Sequence, residues 1–137
     1  MVVRELALDL PEALRDQIIA HAQQGYPEEV CGLVSGRAGM AHAVHPGRNV
    51  SLTPRVAYEM DVDTLALQIE FEETGLELWA IYHSHPRGPA APSPTDIKLA
   101  MYPDARYVIV NLTDPARPTV AAFRIAVALD EPTTKTP

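Results

Sequence analysis

The chain has 137 residues, 47% of them apolar and 21% charged, the size and composition of one globular domain. A formal net charge of −7, from 11 Lys+Arg against 18 Asp+Glu with no basic run, argues against nucleic acid and anionic membrane as partners. The single cysteine, Cys31, excludes an internal disulfide and a cysteine-based zinc knuckle, and it suits a reducing cytosol.

"VVRELALDL" alternates polar and apolar residues and predicts a first strand. Arg4, Glu5 and Asp9 within it interrupt any signal-peptide core. No apolar stretch nears the roughly 20 residues of a membrane span, so a soluble cytoplasmic protein is expected. "PEALRDQIIAHAQQG" predicts a helix, with Pro11 in its first turn, Leu14, Ile18 and Ile19 as its apolar stripe, and Gly25 as its stop. His21 on this helix reads as a solvated or half-buried position. Two strands, Val30–Ser35 and Met40–His45, are expected around a Gly-Arg-Ala-Gly turn.

"AYEMD" predicts a short strand, and "DVDTLALQIEFEETG" one helix with acids early and Gly75 just past its end. "LELWAIYHS" is the most strand-like segment. "PSPTDIKLAMYP" predicts a short helix from near Ser93 to Pro103, and "RYVIVNL" and "TVAAFRIAVAL" two last strands. The order β-α-β-β-β-α-β-α-β-β implies an α/β (α+β) fold, a mixed sheet flanked by helices. A single domain over 1–129 is expected, followed by a frayed tail, "DEPTTKTP", over 130–137.

The chemistry concentrates at "IYHSHPRG". Residues i and i+2 of a strand share a face, so His83 and His85 aim into one space while Ser84 points away. Imidazole suits zinc. Seven residues, three of them proline, separate His85 from Ser93, and two separate Ser93 from Asp96. Restricted φ angles lower the entropy lost in ordering such a loop. Ser93 followed by Pro94 and Asp96 is a helix-capping pattern, and a carboxylate placed there could also complete a ligand set with the histidines. Three protein ligands leave one tetrahedral position for water, the pattern of a catalytic zinc. Such a site needs a carboxylate base, and "YPEEVCGLVSG" offers Glu28 and Glu29.

Glu29, His83-Ser84-His85, Ser93 and Asp96 at this spacing resemble the signature of the JAMM, or MPN-plus, metalloprotease family. "PEEVCGLVSG" is similar to that family's Pro-x-Glu-x-Cys-Gly-Leu segment, which selects Glu29 over Glu28. "GRNVSLTPRVAYEMD" resembles its Asn-then-Tyr-x-x-Asp segment. "RYVIVNL" resembles the strand after the third-ligand helix, with Asn111 in place of an expected serine. The likeness covers roughly residues 5–126.

The resemblance implies a partly curved, cytidine-deaminase-like sheet. It implies one zinc ion per chain, held by His83, His85 and Asp96 with a water as fourth ligand. Glu29 would be general base and then acid, and Ser93 would donate to the tetrahedral oxyanion. The implied substrate is a peptide or isopeptide bond after the tail of a ubiquitin-like protein. The short chain favours a compact prokaryotic-type member acting on a sulfur-carrier protein, and a homodimer is compatible with it. A scaffold without catalysis and a peptidase of cell-wall or phage-tail peptides are the alternatives.

Elsewhere, Cys31 and Trp79 read as core. His42 and His45 read as surface strand residues. Arg48 and Asn49 fall in a loop expected to border the cleft, as substrate-binding or turn residues.

Overall fold

The run "ELWAIYHSH" forms the central strand of a six-stranded mixed sheet in a computed structural model that describes residues 1–127. The elements are β1 Val2–Leu6, α1 Glu12–Gly25, β2 Cys31–Arg37, β3 Met40–Pro46, α2 Val62–Leu65, α3 Leu67–Glu73, β4 Glu77–His85, α4 Pro94–Leu99, β5 Arg106–Asn111 and β6 Thr119–Ala126. Strand order is β1-β6-β5-β4-β2-β3, open at both ends, with only β4 and β5 parallel. The tail expected over 130–137 and the boundary at 129 lie outside the described residues.

Alternation along the strands divides the core between the two faces of the sheet. Ile18 and Ala22 of α1 pack with Val34, Tyr82, Val108 and Val110 on one face. On the other, Phe71 of α3 packs with Leu33, Ile81, Tyr107 and Ile125. Tyr82 is fully buried and its hydroxyl lies 2.7 Å from Nδ1 of the half-buried His21, which satisfies the phenol. A Cβ at Gly32 would run into the Tyr82 ring, so the strand beside Cys31 admits only glycine there. Trp79 is core, as expected, with its Nε1–H donated to Gly39 O at 3.0 Å and the Arg106 guanidinium 4.0 Å above its ring.

Several predicted elements are corrected. The first strand stops at Leu6; Leu8 and Leu10 leave the ladder and turn onto the α1-side core. Pro11 is the residue before the helix rather than inside its first turn. "AYEMD" forms no strand, only an isolated bridge between Asn49 and Met60. The helix expected over 61–75 is two pieces, the first capped by Asp61, whose carboxylate accepts from Thr64 N at 3.2 Å. At Ala66 the chain tightens, the amide of Ile69 reaching only three residues back to Ala66 O.

The helix expected to run to Pro103 ends at Leu99 because the amides of Met101 and Tyr102 both donate to the Tyr107 hydroxyl, each at 3.1 Å. Those amides are then lost to the helix ladder. His45, expected at the surface, is half-buried; it lies 2.9 Å from Ser35 Oγ and packs on Phe71, while His42 is exposed.

Candidate metal centre

Strand pairing solves the long-range part of the problem. Glu29 precedes His83 by 54 positions, yet β2 pairs with β4 so that Cys31 faces His83, and Val30 exchanges hydrogen bonds with Ser84. The buried Ser84 hydroxyl accepts from Val30 N at 2.9 Å, and Ser84 N donates to Val30 O at 3.1 Å. Glu29 therefore enters β2 beside the end of β4 that carries the two histidines. Its amide donates to Pro54 O at 2.7 Å, and its carbonyl accepts from Asn49 Nδ2 at 2.9 Å.

His83 and His85 share the face of β4 that looks towards α4. Asp96, in the first turn of α4, meets them there. Nε2 of His83 and Nε2 of His85 are 3.1 Å apart, and Asp96 Oδ2 lies 3.1 Å from the first and 3.0 Å from the second. Two ligands bound 2.0–2.1 Å from a tetrahedral zinc lie roughly 3.3 Å apart, so this near-equilateral triangle has the size of one face of such a site. Two imidazole nitrogens this close can hold only one proton between them, leaving lone pairs and a carboxylate oxygen crowded together. A cation fits that donor set.

The flanking groups orient the rings. His85 Nδ1 lies 3.0 Å from Pro89 O, so an Nδ1–H donated there turns the Nε2 lone pair towards Asp96. Tyr58 stacks on His83 at 4.6 Å between ring centres. His83 Nδ1 is buried and has no hydrogen-bond partner among the described residues.

The charges follow. Burial lowers His83. Burial also opposes charging of His85, but the Asp96 carboxylate and the Pro89 carbonyl outweigh it and raise that histidine. Burial alone would raise Asp96, but hydrogen bonds from both histidines and the amide of Ser93 hold it well below the usual carboxylate range.

Glu29 is 7% exposed, and its Oε1 is buried without a partner among the described residues. Burial pushes its carboxyl up to about 7; His85 opposes that shift and Asp96 adds to it. A carboxyl poised near neutrality beside a cation site is suited to taking and returning a proton.

Ser93 caps α4 in a reciprocal box: its Oγ accepts from Asp96 N at 3.1 Å, and its amide donates to Asp96 Oδ2 at 2.8 Å. Accepting the cap bond uses a lone pair, so the hydroxyl proton remains available to a substrate oxygen. Capping and oxyanion donation are therefore compatible.

The remaining sequence candidates divide. Asn49 is turned into its own loop, where its amide reaches Glu29 O, Pro54 O and Ala57 O and its carbonyl accepts from Ser51 N and Glu59 N. The Arg48 side chain is 75% exposed, 4.0 Å from Asp61. Cys31 is fully buried, its thiol directed at Arg48 O at 3.6 Å and pushed up to about 12 by burial first and by nearby Asp61 and Glu29 next.

Sequence reasoning missed Tyr107 and the roles of Tyr58 and Asn111; Tyr107 gave no local signal, Tyr58 stood only within the Tyr-x-x-Asp segment of the resemblance, and Asn111 stood out only as a departure from an expected serine. It also missed a groove of about 340 Å³ with Tyr58, Met60, Leu65, Leu99, Tyr102 and Asp96 among its walls.

Known proteins resemble this chain over most of its length. Prokaryotic homologs of the JAB domain match residues 11–126. The desampylase of Haloferax volcanii is 39% identical over 111 residues, 76% of this chain and 80% of the relative. The CysO-cysteine peptidase of Mycobacterium tuberculosis is 35% identical over 117 residues, 82% of this chain and 78% of the relative. The solution structure of protein DSY2949 from Desulfitobacterium hafniense superposes with a TM-score of 0.74 at 32% identity, over 86% of this chain and 84% of that one. Family match and relatives agree: the chain belongs to the prokaryotic homologs of the JAB domain.

Proposed function

We propose that this chain is a zinc-dependent peptidase or isopeptidase that cuts the bond after the C-terminal tail of a ubiquitin-like or sulfur-carrier protein. The observation that carries the reading is the convergence of His83, His85 and Asp96 beside the unpaired buried carboxylate of Glu29. His83, His85 and Asp96 would hold one zinc ion. When bound, zinc supplies Lewis acidity that brings the pKa of water from about 15.7 to about 7 and polarises a scissile carbonyl.

Glu29 takes the proton of the attacking water and passes it to the leaving amine. Ser93 donates its hydroxyl proton to the oxygen that gains charge. The groove beside Asp96 offers an apolar channel for an extended tail. Relatives named desampylase and CysO-cysteine peptidase support this choice of substrate class.

Among the described residues no helix is long and apolar enough to cross a membrane. We place the protein in the cytoplasm on its lone buried thiol.

The test is to incubate zinc-loaded protein with carrier proteins fused through their C-terminal tails to a reporter and to locate the cut by mass spectrometry. Cleavage after the tail, absent in Glu29→Gln, is the expected result. Protein that takes up no stoichiometric zinc would overturn the reading.

A further inference from the structure

The loop that follows His85 is held from outside by two side chains at the end of β5. Asn111 Nδ2 and Thr113 Oγ1 both donate to Gly88 O, each at 3.0 Å. Asn111 Oδ1 accepts from Thr113 N at 3.0 Å, which locks the two residues into one clamp. Leu112 N, between them, donates to His85 O at 2.9 Å. The clamp thus grips the chain at His85 and again three residues later.

Gly88 has φ +90°, a conformation that only glycine adopts without strain, and it presents its carbonyl to the clamp. The next carbonyl, that of Pro89, lies 3.0 Å from His85 Nδ1. Proline's ring fixes φ at Pro89, one of the two torsions that separate the clamped peptide from that carbonyl. Among the described residues, no side chain outside this set bonds to the Arg87–Ala91 segment, so Pro89 O has little else to place it.

We propose that Asn111 and Thr113 are positioning residues for the metal centre. By fixing Gly88 and hence Pro89, they hold the proton of His85 on Nδ1 and the lone pair of Nε2 towards Asp96. This rests on the reading of His85 as a metal ligand. Partners that orient ligating histidines are worth about 10- to 100-fold in metal affinity.

Asn111→Leu combined with Thr113→Val removes both donors at similar size and adds no charge near the metal centre. Zinc affinity, measured by competition with a chelator, is expected to fall about tenfold. In the zinc-loaded protein, the Nδ1–H resonance of His85 should exchange faster than in the wild type. Each single substitution leaves one donor on Gly88 O and should show a smaller loss, and it serves if the double variant does not fold. Thr113→Ser keeps a donor and should bind zinc as the wild type does.

A double variant with wild-type zinc affinity and an equally protected Nδ1–H overturns the inference while leaving the metal centre standing. A wild-type protein that binds no zinc overturns the centre, and the inference with it.

Discussion

The amide of Val30 donates to the buried hydroxyl of Ser84 at 2.9 Å, a side-chain bond that, with Ser84 N donating back to Val30 O, ties the segment carrying Glu29 to the strand carrying both histidines. Sequence places Ser84 on the face away from His83 and His85, as a structural residue. The structure gives that role a consequence for the site, because Val30 is the next residue after the carboxylate. Ser84→Ala would leave the Val30 amide without its acceptor, at a cost of about 1–3 kcal/mol. The expected outcome is a lower denaturation midpoint and slower turnover with one zinc per chain retained. Denaturant titration, metal analysis and a cleavage assay check the three parts.

Glu29 gives a pH signature in the zinc-free protein. Its folded pKa, raised to about 7 from an ordinary value near 4.5, means that the folded chain holds a proton the unfolded chain has released. That contribution is fully present below about pH 4.5 and is lost as pH rises through about 7. Glu29→Gln abolishes the titration, so the zinc-free variant should be more stable than zinc-free wild type at pH 8, by on the order of 1–3 kcal/mol. The gap should close towards pH 4. Melting curves across pH read it directly, and the same variant should bind zinc normally yet fail to cleave.

Removing the metal should soften the protein. A ligand present at 100 times its Kd stabilises the folded state by about 2.7 kcal/mol. Chelator should therefore lower the melting temperature of wild type and leave that of Asp96→Ala unmoved. Asp96→Ala should also show no zinc uptake and a frayed start of α4, since the same carboxylate closes the cap with Ser93. Equal zinc affinity in the two proteins would remove Asp96 from the ligand set.

Tyr107 tests how Asp96 is held. No residue of α4 is fully buried; Ile97 packs half-buried on the core, and both ends are tied, by the Ser93 box at one and by the Tyr107 hydroxyl accepting from Met101 and Tyr102 at the other. Tyr107→Phe keeps the ring and deletes the acceptor of two amides. The expected outcome is a loss of about 1–3 kcal/mol and faster hydrogen exchange at those amides. Weaker zinc binding should follow, seen by chelator competition.

Much of this was legible in the residues. The spacing His83-x-His85 on a strand requires a common face, because strand periodicity is two. Ser93, Pro94 and Asp96 require a helix start, because that residue order satisfies the free amides of a first turn. Local geometry is enough for both conclusions, and the mixed sheet and most of the elements could be read without coordinates; that Asp96 joins His83 and His85 was implied by the family resemblance, since the capping pattern alone left it open. Contacts between distant segments could not be. The pairing that sets Cys31 against His83, the Tyr107 hydroxyl that ends α4 early, the half-burial of His45 and the inward turn of Asn49 each depend on which surfaces the folded chain brings together. Sequence alone determined which groups could bind a metal and which face of their strand they share. Only the tertiary structure decided that Glu29 stands beside them, because the order of strands in a sheet is selected by packing and long-range hydrogen bonds that no local pattern encodes.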